Sequence, residues 1–178
     1  AQENDRLRQF LNFSSAKPAA YQLAEVIARG RAADTWQTQQ TLTLNRGSRD
    51  GLQPGMPVID GEGILLGRIT QVSDATAQAC LLFDAECRIA VGIAGQAGTI
   101  GVIQSDLNLT VKVDFISQTR AISENQIVVT SGLEDKMPPN LAVGKISAVI
   151  RQGNELWQHA VIRPLGNFDD IRIVAVIK

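Results

Sequence analysis

The sequence runs to 178 residues, with 44% apolar residues, 20% charged residues and a formal net charge of −1. This is an ordinary folded composition, which excludes a disordered chain and lacks the basic stripe that nucleic-acid binding requires. No run approaches the roughly 18 consecutive apolar residues of a membrane span. Aromatic residues make up only 4%, so Val, Ile, Leu and Ala must fill the core, which favours many short strands.

Residues 1–16 read as a helix. Asn4, Leu7 and Leu11 follow the a, d, a spacing of a coiled coil, with charges between them. Ser14, Ser15 and the Lys17-Pro18 pair then end it, because proline lacks an N–H and restricts the residue before it. The chain thus opens inside a helical pattern, as an excised fragment would, and composition leaves an upstream membrane anchor open.

After Pro18 the pattern is strand after strand. Residues 21–28 and 38–44 come first, then a Gly/Pro-rich turn region over 46–57, and strands over 64–72 and 76–82. Two short strands are expected in 88–104, punctuated by Gly92, Gly95, Gly98 and Gly101. Residues 107–115 alternate most cleanly, placing Leu107, Leu109, Val111, Val113 and Phe115 on one face. Strands over 126–130, 142–150, 157–163 and 171–177 complete the series, the last apolar on both faces and so expected to be buried on both sides.

One pattern occurs twice. Residues 66–72 and 143–149 share the order apolar, Gly, basic, Ile, hydroxyl, any, Val, so Gly67 matches Gly144 and Ile69 matches Ile146. A Gly-Leu turn stands before each copy, Gly51-Leu52 and Gly132-Leu133. The fold expected is all-β: two small six-stranded barrels related by a pseudo-repeat, after a short N-terminal helix. The divisions expected are 1–16 for the helix, 17–83 for the first barrel and 84–178 for the second, with the last strands free to return to the first.

No catalytic centre emerges. Two barrels invite comparison with the chymotrypsin type, but the single histidine, His159, follows Ser131, whereas that arrangement runs His, Asp, Ser. His159 shares a strand face with Trp157 and Val161 and reads as a structural histidine. One histidine without clustered carboxylates cannot make a transition-metal site. Glycines at 95, 98 and 101 lack the dinucleotide spacing, and Lys145 lacks the following Ser/Thr of a phosphate loop. Asp84 with Glu86 and Asp169 with Asp170 read as solvated turn acids rather than a glycosidase pair. No catalytic, cofactor or metal residue is therefore assigned. Cys80 and Cys87 read as two small buried hydrophobes, with a cross-strand disulfide as the alternative.

The order of several blocks resembles a known family. Asn45, Gly47, Ser48, Asp50, Gly51 and Leu52 lead into Gly55 to Val58; Thr130, Ser131, Gly132 and Leu133 lead into Pro138, Pro139, Asn140 and Leu141. In this sequence they resemble the MreC family of bacterial rod shape-determining proteins. The resemblance implies a non-enzymatic periplasmic scaffold of the wall-elongation machinery, held to the inner membrane by a segment upstream. It also implies paired β-barrels without a triad and no cofactor. The implied partners are copies of itself, the elongation-specific penicillin-binding transpeptidase and the MreB/MreD/RodZ complex. The cysteine pair is not a feature the resemblance predicts. A periplasmic adaptor of an efflux or secretion pump is the alternative, and a chymotrypsin-like hydrolase the third reading. If association uses strand edges, the expected positions are Ile100, Gly101, Met137 and Pro138, flanked by glycine- and proline-rich turns, with Leu7 and Leu11 on the helix.

Overall fold

A computed structural model describes residues 20–31, 40–106, 110–151, 153 and 156–178. The expected N-terminal helix, with Leu7 and Leu11, lies outside them. Twelve strands form among the described residues: β1 Tyr21–Arg31, β2 Gln40–Leu44, β3 Pro57–Ile59, β4 Leu65–Val72, β5 Ala77–Leu81, β6 Ile89–Ile93, β7 Gly101–Asp106, β8 Thr110–Ser117, β9 Ile127–Thr130, β10 Ala142–Arg151, β11 Trp157–Pro164 and β12 Ile173–Ile177. Strand β3 was not expected: it follows directly on the turn region over 46–57 and shares only Pro57 with it. It is only three residues long and begins at a proline, so it carries no readable periodicity.

The strands close into two six-stranded barrels, β1-β12-β3-β4-β5-β2 and β10-β11-β8-β7-β6-β9, with every pairing antiparallel. Strand β12 closes the first barrel after the chain has completed the second. When β12 is counted as the first strand of its barrel, both barrels have one order of neighbours: first, second, third, sixth, fifth, fourth. The two barrels are thus circular permutations of one topology, and β4 corresponds to β10. Gly67 is paired between Val58 and Leu81, and Gly144 between Val128 and Pro164. The following Ile69 and Ile146 are both buried in the core. The Gly-Leu turns do not share this equivalence: Gly51 precedes β3, whereas Gly132 follows the corresponding β9.

The cores are aliphatic, with no Phe or Trp among the buried described residues. Leu42, Leu44, Leu52, Leu66, Ile69 and Val174 belong to the first barrel. A second cluster fills the other barrel and continues without a break into Ile59, Leu65, Leu82, Ala175 and Ile177 of the first. This explains why β12 is apolar on both faces. Val174 and Val176 face its own barrel, while Ala175 and Ile177 face the other. Burying apolar surface is worth about 25 cal/mol per Å², so this shared cluster holds the two barrels together.

Polar contacts fix the seam. Arg68 on β4 is 2.6 Å from Glu134 in the β9–β10 loop, and Glu134 also accepts the Ala90 N–H at 3.1 Å. In the same loop, Lys136 donates to the side chain of Gln53. Cys80 and Cys87 form a disulfide, with Cα atoms 5.6 Å apart. The pair therefore does not act as two independent small hydrophobes. The turn through Asp84, which accepts the Glu86 N–H, folds Cys87 back onto β5 and brings the sulfurs together.

Candidate protein-docking surface

Strands β10, β11 and β8 lie side by side, and their outward faces carry an uncommon set of residues. The cause is a bulge in β8. Gln158 of β11 pairs with Ile116 and Ala160 pairs with Val113, so His159 alone faces both Asp114 and Phe115. Phe115 takes φ = 61°, a left-handed conformation that costs a bulky side chain roughly 1–2 kcal/mol. The extra residue reverses the alternation. Val111, Val113 and Ile116 point inward, but Phe115 points out and is 59% exposed. The sequence alternation had placed Phe115 on the inward face with the two valines, and a single inserted residue overturns that register.

The strained backbone is held by a buried polar network. Gln158 is fully buried; its side-chain amide donates to the carbonyls of Ser117 (2.9 Å) and Arg120 (2.7 Å) and accepts from Arg151 Nε (2.8 Å). Arg151 in turn donates to the Ile122 carbonyl at 3.3 Å. Strand β11 is thereby fastened to the end of β8 and the loop after it, with every side-chain polar group of Gln158 satisfied. Gln158 was not among the residues expected from the sequence to matter. A glutamine in line with the inward Ala160 and Ile162 of β11 was the available signal.

On the outside, Phe115 meets Trp157, itself 50% exposed, edge to face with ring centroids 6.4 Å apart. Ile150 and Leu156 add exposed aliphatic surface, and His159 is half-buried beside Ile150. Further along the same two strands, Lys145 pairs directly with Arg163, both exposed and without an ion pair among the described residues. Like charges placed opposite each other are unfavourable. They flank a cleft of about 150 Å³ that also includes Asn125, Ser147 and Glu124. An exposed aromatic pair, on a sheet face that further along carries two cations without an ion pair among the described residues, suits protein docking.

The positions expected from sequence lie elsewhere. Ile100 is 5% exposed, and its N–H donates to the Val91 carbonyl; Met137, within the β9–β10 loop, is 2% exposed and packs into the core. Neither presents its side chain to a partner, because the turns around them fold over the core. Gly101 packs against β8, where a Cβ would stand 2.3 Å from the Asp114 carbonyl oxygen. Pro138 is half-buried, and its carbonyl accepts the Thr130 hydroxyl at 2.6 Å. Strands β6 and β7 are hydrogen-bonded on both sides, so the stretch around Gly92 to Gly101 offers no open strand edge. The β9–β10 loop is spent on the first barrel through Glu134 and Lys136. Ser131 sits just past β9, with its hydroxyl accepting the Leu133 N–H at 3.4 Å, and no hydrogen bond joins it to His159.

Comparison with known proteins fits this picture. Residues 27–178 match the family described as rod shape-determining protein MreC, barrel core. The chain is 28% identical to the cell shape-determining protein MreC of Haemophilus influenzae over 98% of its own length, and it spans 48% of that relative, about half. A solved MreC from Listeria monocytogenes superposes with a TM-score of 0.77 at 26% identity, covering 99% of this chain and 84% of that one. Two further structures share the fold. One is the major periplasmic domain of the cell shape-determining filament MreC (TM-score 0.75, 24% identity, 90% of this chain and 98% of that one). The other is a complex between penicillin-binding protein PBP2 and MreC from Helicobacter pylori (TM-score 0.70, 16% identity, 89% and 98%). The family consists of cell shape-determining structural proteins rather than enzymes, which displaces the hydrolase and pump-adaptor readings. This chain belongs to the MreC family of rod shape-determining proteins.

Proposed function

We propose that the chain is the barrel core of a periplasmic, non-enzymatic scaffold that maintains rod shape by self-association and by holding the elongation transpeptidase in an active arrangement. A segment upstream anchors it to the inner membrane and brings it to the MreB/MreD/RodZ complex. The observation that carries the proposal is the exposed Phe115–Trp157 pair on a strained bulge. Strain held in place by a buried network persists where a side chain must be presented outward. The PBP2–MreC complex among the structures of the same fold supports a transpeptidase as the partner, and the filament-forming relative supports self-association. The disulfide suits an oxidising compartment.

Biolayer interferometry against the immobilised extracytoplasmic region of the transpeptidase, alongside sedimentation velocity of the chain alone, tests this reading. Saturable binding together with concentration-dependent association is expected. A chain that is monomeric at all concentrations and does not bind would contradict it.

A further inference from the structure

The chain passes between the barrels twice, once over residues 82–88 and once over residues 165–172, and the two passages touch. Phe83 of the first meets Phe168 of the second edge to face, with centroids 5.0 Å apart. Between them opens a cleft of about 460 Å³, whose apolar wall is completed by Pro164 and Leu165, the latter 44% exposed. The cleft is wide open to solvent, as a groove for a surface-bound segment would be, and the junction of two folded units is a common place for a binding site.

The walls are preformed. Phe83 sits inside the loop closed by the Cys80–Cys87 disulfide, and Asp84 beside it accepts the Gln40 N–H at 3.0 Å. Gly166 packs so closely on Leu66 that a Cβ would stand 2.7 Å from its Cδ2. Asp60 fixes the β3–β4 turn by accepting the backbone N–H groups of Glu62 and Ile64, each at 2.9 Å. A rigid site loses little ordering entropy when it is filled.

The surroundings are acidic. Asp169 lines the cleft, and Asp60, Glu62, Glu86 and Asp170 stand on the elements that form or adjoin it. The cations on the same elements are fewer: Arg88, Arg172 beside Asp170, and Arg29, which donates to the Asp169 carbonyl. We propose that this inter-barrel cleft is a second docking site, which takes an apolar side chain from an extended basic segment of a protein partner. The apolar wall holds the side chain, and the excess of carboxylates selects lysine or arginine on either side of it. The site lies on different strands from the Phe115–Trp157 face and does not depend on the transpeptidase reading.

The test is fluorescence anisotropy on the intact oxidised chain, with a fluorescein-labelled hexapeptide carrying Leu-Phe between lysines and a twin carrying glutamates instead. The lysine peptide should bind saturably and the glutamate twin at least tenfold more weakly. Leu165→Ser should weaken the lysine peptide about tenfold with an unchanged melting temperature, and Asp169→Lys should weaken it several-fold. Equal binding of the two peptides, or no loss in the folded Leu165→Ser chain, would overturn the proposal. So would loss of self-association, in place of peptide binding, in that variant, because the occupant would then be a second copy.

Discussion

Gly67 and Gly144 hold equivalent places in two barrels whose strand orders are circular permutations of each other, and each lies almost against the neighbouring strand. A Cβ at Gly67 would stand 1.8 Å from the Cys80 carbonyl oxygen; at Gly144 it would stand 2.4 Å from Ile162 Cγ2 and 2.6 Å from the Arg163 carbonyl oxygen. Cys80 pairs with Arg68 and Arg163 with Lys145, so the carbonyl met is in each case that of the partner of the next residue.

Alanine at either glycine should therefore destabilise the fold. At Gly67 the obstacle is backbone that cannot turn aside, and Gly67→Ala should cost roughly 3 kcal/mol. At Gly144 the first atom met belongs to a side chain, and the cost should be nearer 1–2 kcal/mol. Urea unfolding of both variants checks the size and the order.

The repeat was legible because a glycine, an inward isoleucine and alternation are all local. The permutation was not, since β12 lies across the whole second barrel from β1, and no local pattern records which barrel a terminal strand closes. The exposed position of Phe115 was hidden by one bulged residue. Ile100 and Met137 were misplaced for a related reason: glycine and proline mark turns, but they do not say whether a turn folds over the core.

The Arg68–Glu134 contact should be asymmetric under mutation. Arg68→Ala loses a partly exposed ion pair, which is worth about 1 kcal/mol after solvent screening. Glu134→Ala also strands the Ala90 N–H and should cost about 1–3 kcal/mol more. A double-mutant cycle read by denaturant unfolding separates the two contributions.

Replacing both Cys80 and Cys87 with alanine reopens a short loop in the unfolded chain. The chain-entropy estimate for a sequence separation of 7 is about 2.5 kcal/mol. The expected result is that loss in urea unfolding, with both barrels still folded. A reductant should produce a comparable loss in the parent and none in the variant.

Burial raises the Asp60 carboxyl above its ordinary value, and the charge of Glu62 adds to this, although the backbone N–H groups of Ile64, Glu62 and Asn167 pull the other way. The folded chain therefore holds this proton more tightly than the unfolded chain. The stabilisation from Asp60 is complete below the ordinary carboxyl range and is lost as pH rises through the raised value. A carbon-13 titration of Asp60 should give a midpoint above that of an exposed aspartate, and Asp60→Asn should remove this part of the pH dependence of stability.

The most direct test of the scaffold account is Phe115→Gly, measured for both stability and partner binding. Glycine accepts the left-handed backbone without strain, so the variant should be at least as stable as the parent. It lacks the exposed ring, so affinity for the transpeptidase should fall at least tenfold. A folded Phe115→Gly chain that binds the transpeptidase as tightly as the parent would contradict the account.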